Sequence, residues 1–176
     1  MKPAVLMSKA GAVAACAAIA TLGLGTVASA APPPGEFPVE VRLSGTTKCL
    51  DIPGNNPYNG APVTLYDCNG TSAQTWMLSS LDSNSTSFAL KNWGKCLDIP
   101  WANSYNGAQL QIVDCGYSTA QQFSSHALGS ADSIRNSIDD ATRCVDDPRG
   151  GLDNGNRIEL WDCNGGWNQK WEIRRR

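Results

Sequence analysis

The stretch "KCLDIPGNNPYNGAPVTLYDCNGTSAQTW" (residues 48–76) holds, in order, Cys-x-Asp, an Asn-Gly pair, an alternating apolar run into a second cysteine, and Gln-x-Trp. It returns twice, as "KCLDIPWANSYNGAQLQIVDCGYSTAQQF" (95–123) and "RCVDDPRGGLDNGNRIELWDCNGGWNQKW" (143–171). Cys49 and Cys68, Cys96 and Cys115, and Cys144 and Cys163 are each nineteen positions apart, and six positions separate the second cysteine from Gln74, Gln121 and Gln169. Self-similarity at a fixed period identifies a chain built from repeated supersecondary units. First cysteines at 49, 96 and 144 make units of about 39–84, 85–131 and 132–176, which fill the chain from Val39 to its end and leave no room for a second domain.

Within each unit the local signals are those of β structure. "SFALKNW", "KCLDIP", "VTLYDC", "RIELWDC" and "QKWEIR" are short runs that mix alternation with β-branched or aromatic residues, and nothing after residue 30 keeps a helical period. Asn59-Gly60, Asn106-Gly107 and Asn154-Gly155 sit just ahead of the third strand of each unit, where a tight turn wants a residue at positive φ. About four short strands in each of three units, without helices, predict an all-β, pseudo-threefold structure that is closed or nearly so. Closure also removes the sheet edges that invite aggregation.

Outside the repeats, residues 1–30 carry Lys2 and Lys9, an Ala/Gly/Leu-rich run over 10–25, and Ala28-Ser29-Ala30, the pattern of a secretory signal peptide with its cleavage site. The run is short for a bilayer and rich in Gly and Ala, so neither a membrane anchor nor membrane insertion is expected. Secretion implies an extracellular, oxidising setting. The Pro-rich lead-in "APPPGEFP" (31–38) is expected to be extended and to pack little. Of the 14 basic and 16 acidic residues, two lysines lie in the leader, so the remainder carries about −4. Such a chain lacks the basic field that nucleic-acid binding requires. Arg174, Arg175 and Arg176 read as a solvated tail.

Without Cys16, six cysteines remain, an even number that suits a disulfide framework in a secreted chain. Six cysteines allow fifteen pairings; the equal spacing favours one bridge inside each unit. A zinc site is disfavoured, because there is no Cys-x-x-Cys pair and His126 is the only histidine. No metal and no cofactor is expected.

One question is left by "RIELWDCNGGWNQKW" (157–171): if Ile158 and Leu160 point into a core, alternation sends Trp161 outward. A sugar stacked on the ring would answer it, although a single exposed aromatic group needs no explanation of its own. A pyranose has a face of C–H groups and a rim of hydroxyls; an exposed ring covers the face, while a carboxylate and an amide take the rim.

The tripled Cys-Leu-Asp, "NG…L-aromatic-D-C-N-G" and Gln-x-Trp pattern resembles the ricin B-chain type lectin domains and the bacterial family 13 carbohydrate-binding modules, over residues 40–176. The resemblance implies a β-trefoil, in which three hairpins form a barrel and three cap it, with one shallow sugar pocket per unit and Trp76, Phe123 and Trp171 in the core. Carried over by position, it assigns to the third unit the acid Asp146, the platform Trp161, the polar neighbour Glu159 in place of a usual glutamine, and the pair Asn168-Gln169. In the first unit the same positions are Asp51, Thr64, Tyr66, Ala73 and Gln74, which retain acid and platform. The second has Asp98, Gln111, Val113, Ala120 and Gln121, and valine offers no ring, although Trp101 or Tyr105 stands nearby. The expected ligand is a glycan or polysaccharide, galactose-type and xylan-type both being compatible.

Other readings of the residues remain beside this one. Asp51, Asp98 and Asp146 can instead hold the following turn, and Asp67, Asp114 and Asp162, with Gln74, Gln121 and Gln169, recur even in the unit that lacks a platform, which fits a structural role. Catalysis is not expected: no nucleophile triad or phosphate loop appears, and Asp139-Asp140 and Asp146-Asp147, adjacent on a strand, face opposite sides. A secreted trefoil that inhibits proteases through one protruding loop is the alternative function.

Overall fold

The computed structural model of the chain describes residues 35–82 and 86–176. The signal-peptide reading of residues 1–30 lies outside them, as does the first half of the Pro-rich lead-in, 31–34. No helix of the described residues is long and apolar enough to cross a membrane.

Fourteen strands carry the fold. The first unit contributes β1 (Glu36–Leu43), β2 (Lys48–Asp51), β3 (Ala61–Pro62), β4 (Thr64–Asp67) and β5 (Trp76–Ser80), and the second β6 (Ser87–Asn92), β7 (Lys95–Asp98), β8 (Ala108–Gln109), β9 (Gln111–Asp114) and β10 (Phe123–Ser124). The third adds β11 (Arg135–Asn136), β12 (Arg143–Asp146), β13 (Glu159–Asp162) and β14 (Trp171–Arg175). Six of them make a barrel: β1 pairs with β5, β5 with β6, β6 with β10 and β10 with β11, all antiparallel. A bridge between Asp132 and Trp171 joins the β11 side to β14, which pairs with β1 and closes the ring. Three hairpins, β2–β4, β7–β9 and β12–β13, cap one end. This is the β-trefoil.

Alternation explains which residues are inside. Val39, Val41 and Leu43 on β1, Trp76 and Leu78 on β5, Phe88 and Leu90 on β6, and Trp171 and Ile173 on β14 fill the barrel, and Val63, Leu110 and Ile158, one from each unit, fill the cap. The indoles of Trp76 and Trp171 donate to the carbonyls of Leu50 and Val145, at 3.2 and 2.9 Å, so each buried N–H is satisfied. Phe123 occupies the same position without a donor to satisfy.

Each unit closes on the next. Gly60, Gly107 and Gly155, at φ 89, 91 and 90°, donate backbone hydrogen bonds to Ile112, Leu160 and Leu65 of the following unit, the third returning to the first. The asparagine before each glycine reaches further. Asn59 Nδ2 donates to Asp114 (2.7 Å), Asn106 Nδ2 to Asp162 (2.7 Å) and Asn154 Nδ2 to Asp67 (2.8 Å), while each asparagine Oδ1 accepts from Lys95, Arg143 or Lys48. Those cations pair with the same aspartates. The hydrogen bond from Lys48 or Lys95, with that from the asparagine, holds the Asp67 and Asp114 carboxyls below the usual range. The recurrence of these aspartates is therefore a matter of joining units.

All three disulfides join cysteines of one unit, Cys49–Cys68, Cys96–Cys115 and Cys144–Cys163, with Cα atoms 5.1, 5.0 and 5.0 Å apart. Two expectations are corrected. The described end of the lead-in does not stay unpacked: β1 begins at Glu36, and Phe37 and Pro38 pair with Leu78 and Met77, because β1 needs its full length to bridge β14 and β5. Nor are the last arginines, although exposed, a free tail. Arg174 pairs with Glu172, Arg175 lies 3.8 Å over the Phe37 ring, and Arg176 pairs with Glu40.

Candidate functional site

In the third unit Leu160 is fully buried, so Glu159 and Trp161 on the same strand face outward, and Trp161 is 40% exposed. The antiparallel register sets Glu159 opposite Asp146 and Trp161 opposite Cys144, which brings acid and ring to one hairpin face. Asp146 ends β12, where the chain turns into the short 3-10 segment Pro148–Gly150. A second 3-10 segment, Trp167–Gln169, delivers Asn168 and Gln169 to the same place. Asn168 Nδ2 donates to both Asp146 oxygens, at 3.2 and 3.1 Å, and Gln169 Nε2 to one of them at 2.8 Å. Burial pushes the Asp146 carboxyl above its ordinary value, against the pull of these two amides.

A cavity of about 690 Å³ opens over these groups, lined by Trp161, Asp146, Glu159 and Asn168. Gln169 is not in its wall: fully buried, it also donates to the Asp162 carbonyl (2.9 Å) and accepts from the Asn164 N–H (2.9 Å). Gln74 and Gln121 repeat this pattern at Asp51 and Asp98. These glutamines hold the acid and tie the hairpin ends together, and they sit behind the site rather than in it.

The first unit forms a second cavity, of about 680 Å³, lined by Asp51, Thr64 and Tyr66 with Asn69, Asn55 and Ala73. Tyr66 is 41% exposed, and burial raises the Asp51 carboxyl against the hydrogen bond from Gln74. In the second unit Asp98 accepts from Gln111 (2.9 Å) and Gln121 (3.1 Å), and burial again raises it. The hollow there, about 380 Å³, includes Gln111 but neither Asp98 nor Val113; Trp101 and Tyr105 line it instead. The structure thus brings together acid, ring and amide in the third unit, acid and ring in the first, and in the second leaves the acid out of the hollow.

Several wall residues escaped the positional reading. Asn164 and Asn69 follow the second cysteine in the two units that carry a ring, whereas the second unit has Gly116 there; that difference between "DCNG" and "DCGY" was the available signal. Arg149, Asn156 and Arg157 also line the third cavity, at positions where the other units carry unrelated residues. Behind it Asp147 is fully buried. Where the first two units have Ile52 against Ala61 and Ile99 against Ala108, the third has Asp147 with Asn156, whose Nδ2 donates to Asp147 Oδ1 at 2.5 Å. Asp147 Oδ2 has no hydrogen-bond partner among the described residues. Burial, with Asp146 and Glu159 nearby, pushes this carboxyl up to about 6. Glu159 is raised too, by burial and then by Asp146, with Arg149 opposing.

Metal chemistry finds no support in these groups. Among the described residues the one cluster with metal-binding atoms is Glu40 with Cys49 and Cys68, and both sulfurs are spent in a disulfide.

Comparison with known proteins agrees with the fold. The profile of the "Ricin-type beta-trefoil lectin domain" matches residues 84–176, and that of the "Ricin-type beta-trefoil lectin domain-like" family matches residues 34–113. Among solved structures, the designed threefold-symmetric protein ThreeFoil superposes with TM-score 0.71 at 22% identity, over 78% of this chain and 97% of its own. An exo-beta-1,3-galactanase from Clostridium thermocellum matches at 0.70 and 21%, over 80% of this chain and 30% of the enzyme. The Macrolepiota procera ricin B-like lectin, solved with lactose, matches at 0.62 and 18%, over 79% of this chain and 95% of the lectin. At these identities the similarity concerns the fold. No curated protein sequence matches the chain.

Proposed function

Because the chain belongs to the ricin-type β-trefoil lectin family, we propose that it is a secreted carbohydrate-binding protein whose main site is the third-unit pocket. The observation that carries this reading is the convergence of an outward indole, Trp161, with a carboxyl, Asp146, held by two amides in one open cavity. In the proposed complex the C–H face of a pyranose lies on Trp161, and Asp146 and Glu159 accept from its hydroxyls. Asn168, whose Nδ2 is engaged by Asp146 and the Asp147 carbonyl, offers its Oδ1 to the rim as an acceptor. Tyr66 and Asp51 form a second, weaker site in the first unit, where alanine replaces the asparagine.

Binding rather than hydrolysis suits the acids. Asp146 and Glu159 are cross-strand neighbours on one wall, whereas glycoside hydrolysis needs two carboxyl groups flanking the bond that breaks. The lactose of the Macrolepiota lectin and the galactan-degrading activity of the Clostridium enzyme favour a galactose-type glycan as the first probe, with xylan second.

The test is retention of the mature protein on immobilised galactan and xylan, beside titration with lactose. Trp161→Ala should lower affinity for the soluble sugar by tenfold or more while the melting temperature stays within about 2 °C, since a half-exposed ring contributes little to folding. Unchanged retention on both polymers would remove this pocket from the account.

A further inference from the structure

Trp101 poses a separate problem. It is 96% exposed, so its indole adds nothing to the core, and it sits at φ 55°, a conformation that its first-unit counterpart Gly54 adopts at φ 66° without strain. A bulky residue at positive φ is strained and persists where something other than folding selects it. Its third-unit counterpart, Arg149, lines the third cavity, and Gly54 lines the first; the position edges a hollow in every unit.

The hollow that Trp101 edges, together with Tyr105 and Gln111, is not isolated. Gln109 and Arg157 line both it and the third-unit cavity. The reason is the joint between units: β8 pairs with β13, Gln109 standing opposite Glu159, so the second unit's strand forms the near bank of the third unit's pocket. A Cβ built on Gly107, which also lines the hollow, would lie 3.9 Å from Glu159 Oε2. Arg157 is exposed and makes no ion pair among the described residues, which leaves its donors for a ligand. By contrast, the first-unit cavity shares only Gly155 with the third, and no polar side chain spans them.

We propose that the third pocket and the second-unit hollow form one continuous track, in which Trp101 and Tyr105 stack further rings of a linear polysaccharide whose first ring lies on Trp161. This rests on the carbohydrate-binding reading of the third pocket. The order along the track is ring, polar seam, ring: Trp161, then Glu159 with Gln109 and Arg157, then Tyr105 and Trp101. Successive pyranoses present C–H faces and hydroxyl rims to such a surface, and each additional ring buries apolar area that a disaccharide leaves wet. The ligand is thus an internal stretch of a polymer rather than a single terminal sugar.

Calorimetric titration with two oligosaccharide ladders, β-1,3-linked galactose and β-1,4-linked xylose, each from two to six sugars, tests this. Wild-type affinity should rise tenfold or more between the disaccharide and the pentasaccharide of the ladder that binds. Trp101→Gly, the residue already present at position 54, should remove that rise, leave disaccharide affinity as it was and, by relieving the strain at positive φ, not lower the melting temperature. Trp161→Ala should weaken every length. Equal length dependence in wild type and Trp101→Gly, or a wild type that binds the disaccharide with no gain beyond it, overturns the track and leaves the third pocket standing. If no member of either ladder binds the wild type, the carbohydrate reading falls and the track with it.

Discussion

At the scale of single residues, the third unit departs from its siblings where a buried pair changes chemistry. Asp147 and Asn156 take the places of an isoleucine and an alanine, and the carboxyl is held at about 6 against 3.8 for the ordinary group. The folded chain therefore binds that proton more tightly than the unfolded chain. Its contribution to unfolding free energy falls as pH rises from about 4 to about 6 and is flat above, the full penalty being about 3 kcal/mol. Restoring the apolar pair with Asp147→Ile and Asn156→Ala should raise stability at pH 7 by about 2 kcal/mol and narrow the gap from wild type toward pH 4. Urea unfolding of both proteins at pH 4, 5, 6 and 7 measures it; a gap that does not change with pH would contradict the assignment. Asn156→Ala alone should cost about 2 kcal/mol or more at pH 7, because it leaves a buried carboxylate with no partner.

Among elements, the joints between units matter more than the strands themselves. Each Asn-Gly turn docks against the next hairpin through backbone bonds, an asparagine amide and a cation. Removing that amide with Asn154→Ala should cost about 1 to 2 kcal/mol and speed hydrogen exchange at Gly155 and Leu65, the backbone donors of this joint. Protection unchanged at those two amides would show the turn to be held without its side chain. Gly150, at φ 64°, is a second sensitive point. A Cβ there would lie 2.5 Å from Trp167 Cζ2, so Gly150→Ala should displace that indole, read as a shift in tryptophan fluorescence. How much of this could be read from the chain depends on the range of the interaction. Strand positions, the three disulfides and the outward face of Trp161 follow from alternation and spacing inside one unit. What joins Asn59 to Asp114, or Gln109 to the third pocket, acts between units, and no local pattern records which unit follows which in space. The glutamines touch the same acids from the buried side, which spacing inside a unit does not distinguish from the open side. Arg149 and Arg157 were visible only as departures from the repeat, which positional transfer from a resemblance passes over.

For the whole molecule, stability is spread over three covalent loops. Each disulfide closes about twenty residues and contributes roughly 3 kcal/mol in the chain-entropy description. Replacing Cys96 and Cys115 by alanine should therefore lower stability by about that amount while disaccharide affinity at 25 °C persists, because the removed bridge lies outside the third unit, whose pocket takes the first ring. Loss of disaccharide affinity in a protein still folded by circular dichroism would contradict this. The two proposed sites, carried on one rigid body, would also multiply on a polymer, by about 10² if their spacing suits it. Tyr66→Ala should accordingly weaken retention on immobilised polysaccharide far more than affinity for a free disaccharide. Finally, the joints form a cycle. The third unit grips the first as the first grips the second, and the Arg176 N–H lies 3.0 Å from the Pro38 carbonyl. A cycle has no privileged starting point. Joining Arg176 to Glu36 with a few residues, in a chain without residues 1–35, and opening the chain instead between Asp82 and Thr86 would give a circular permutant with every interunit contact described above retained, and it should melt as residues 36–176 do in the original order.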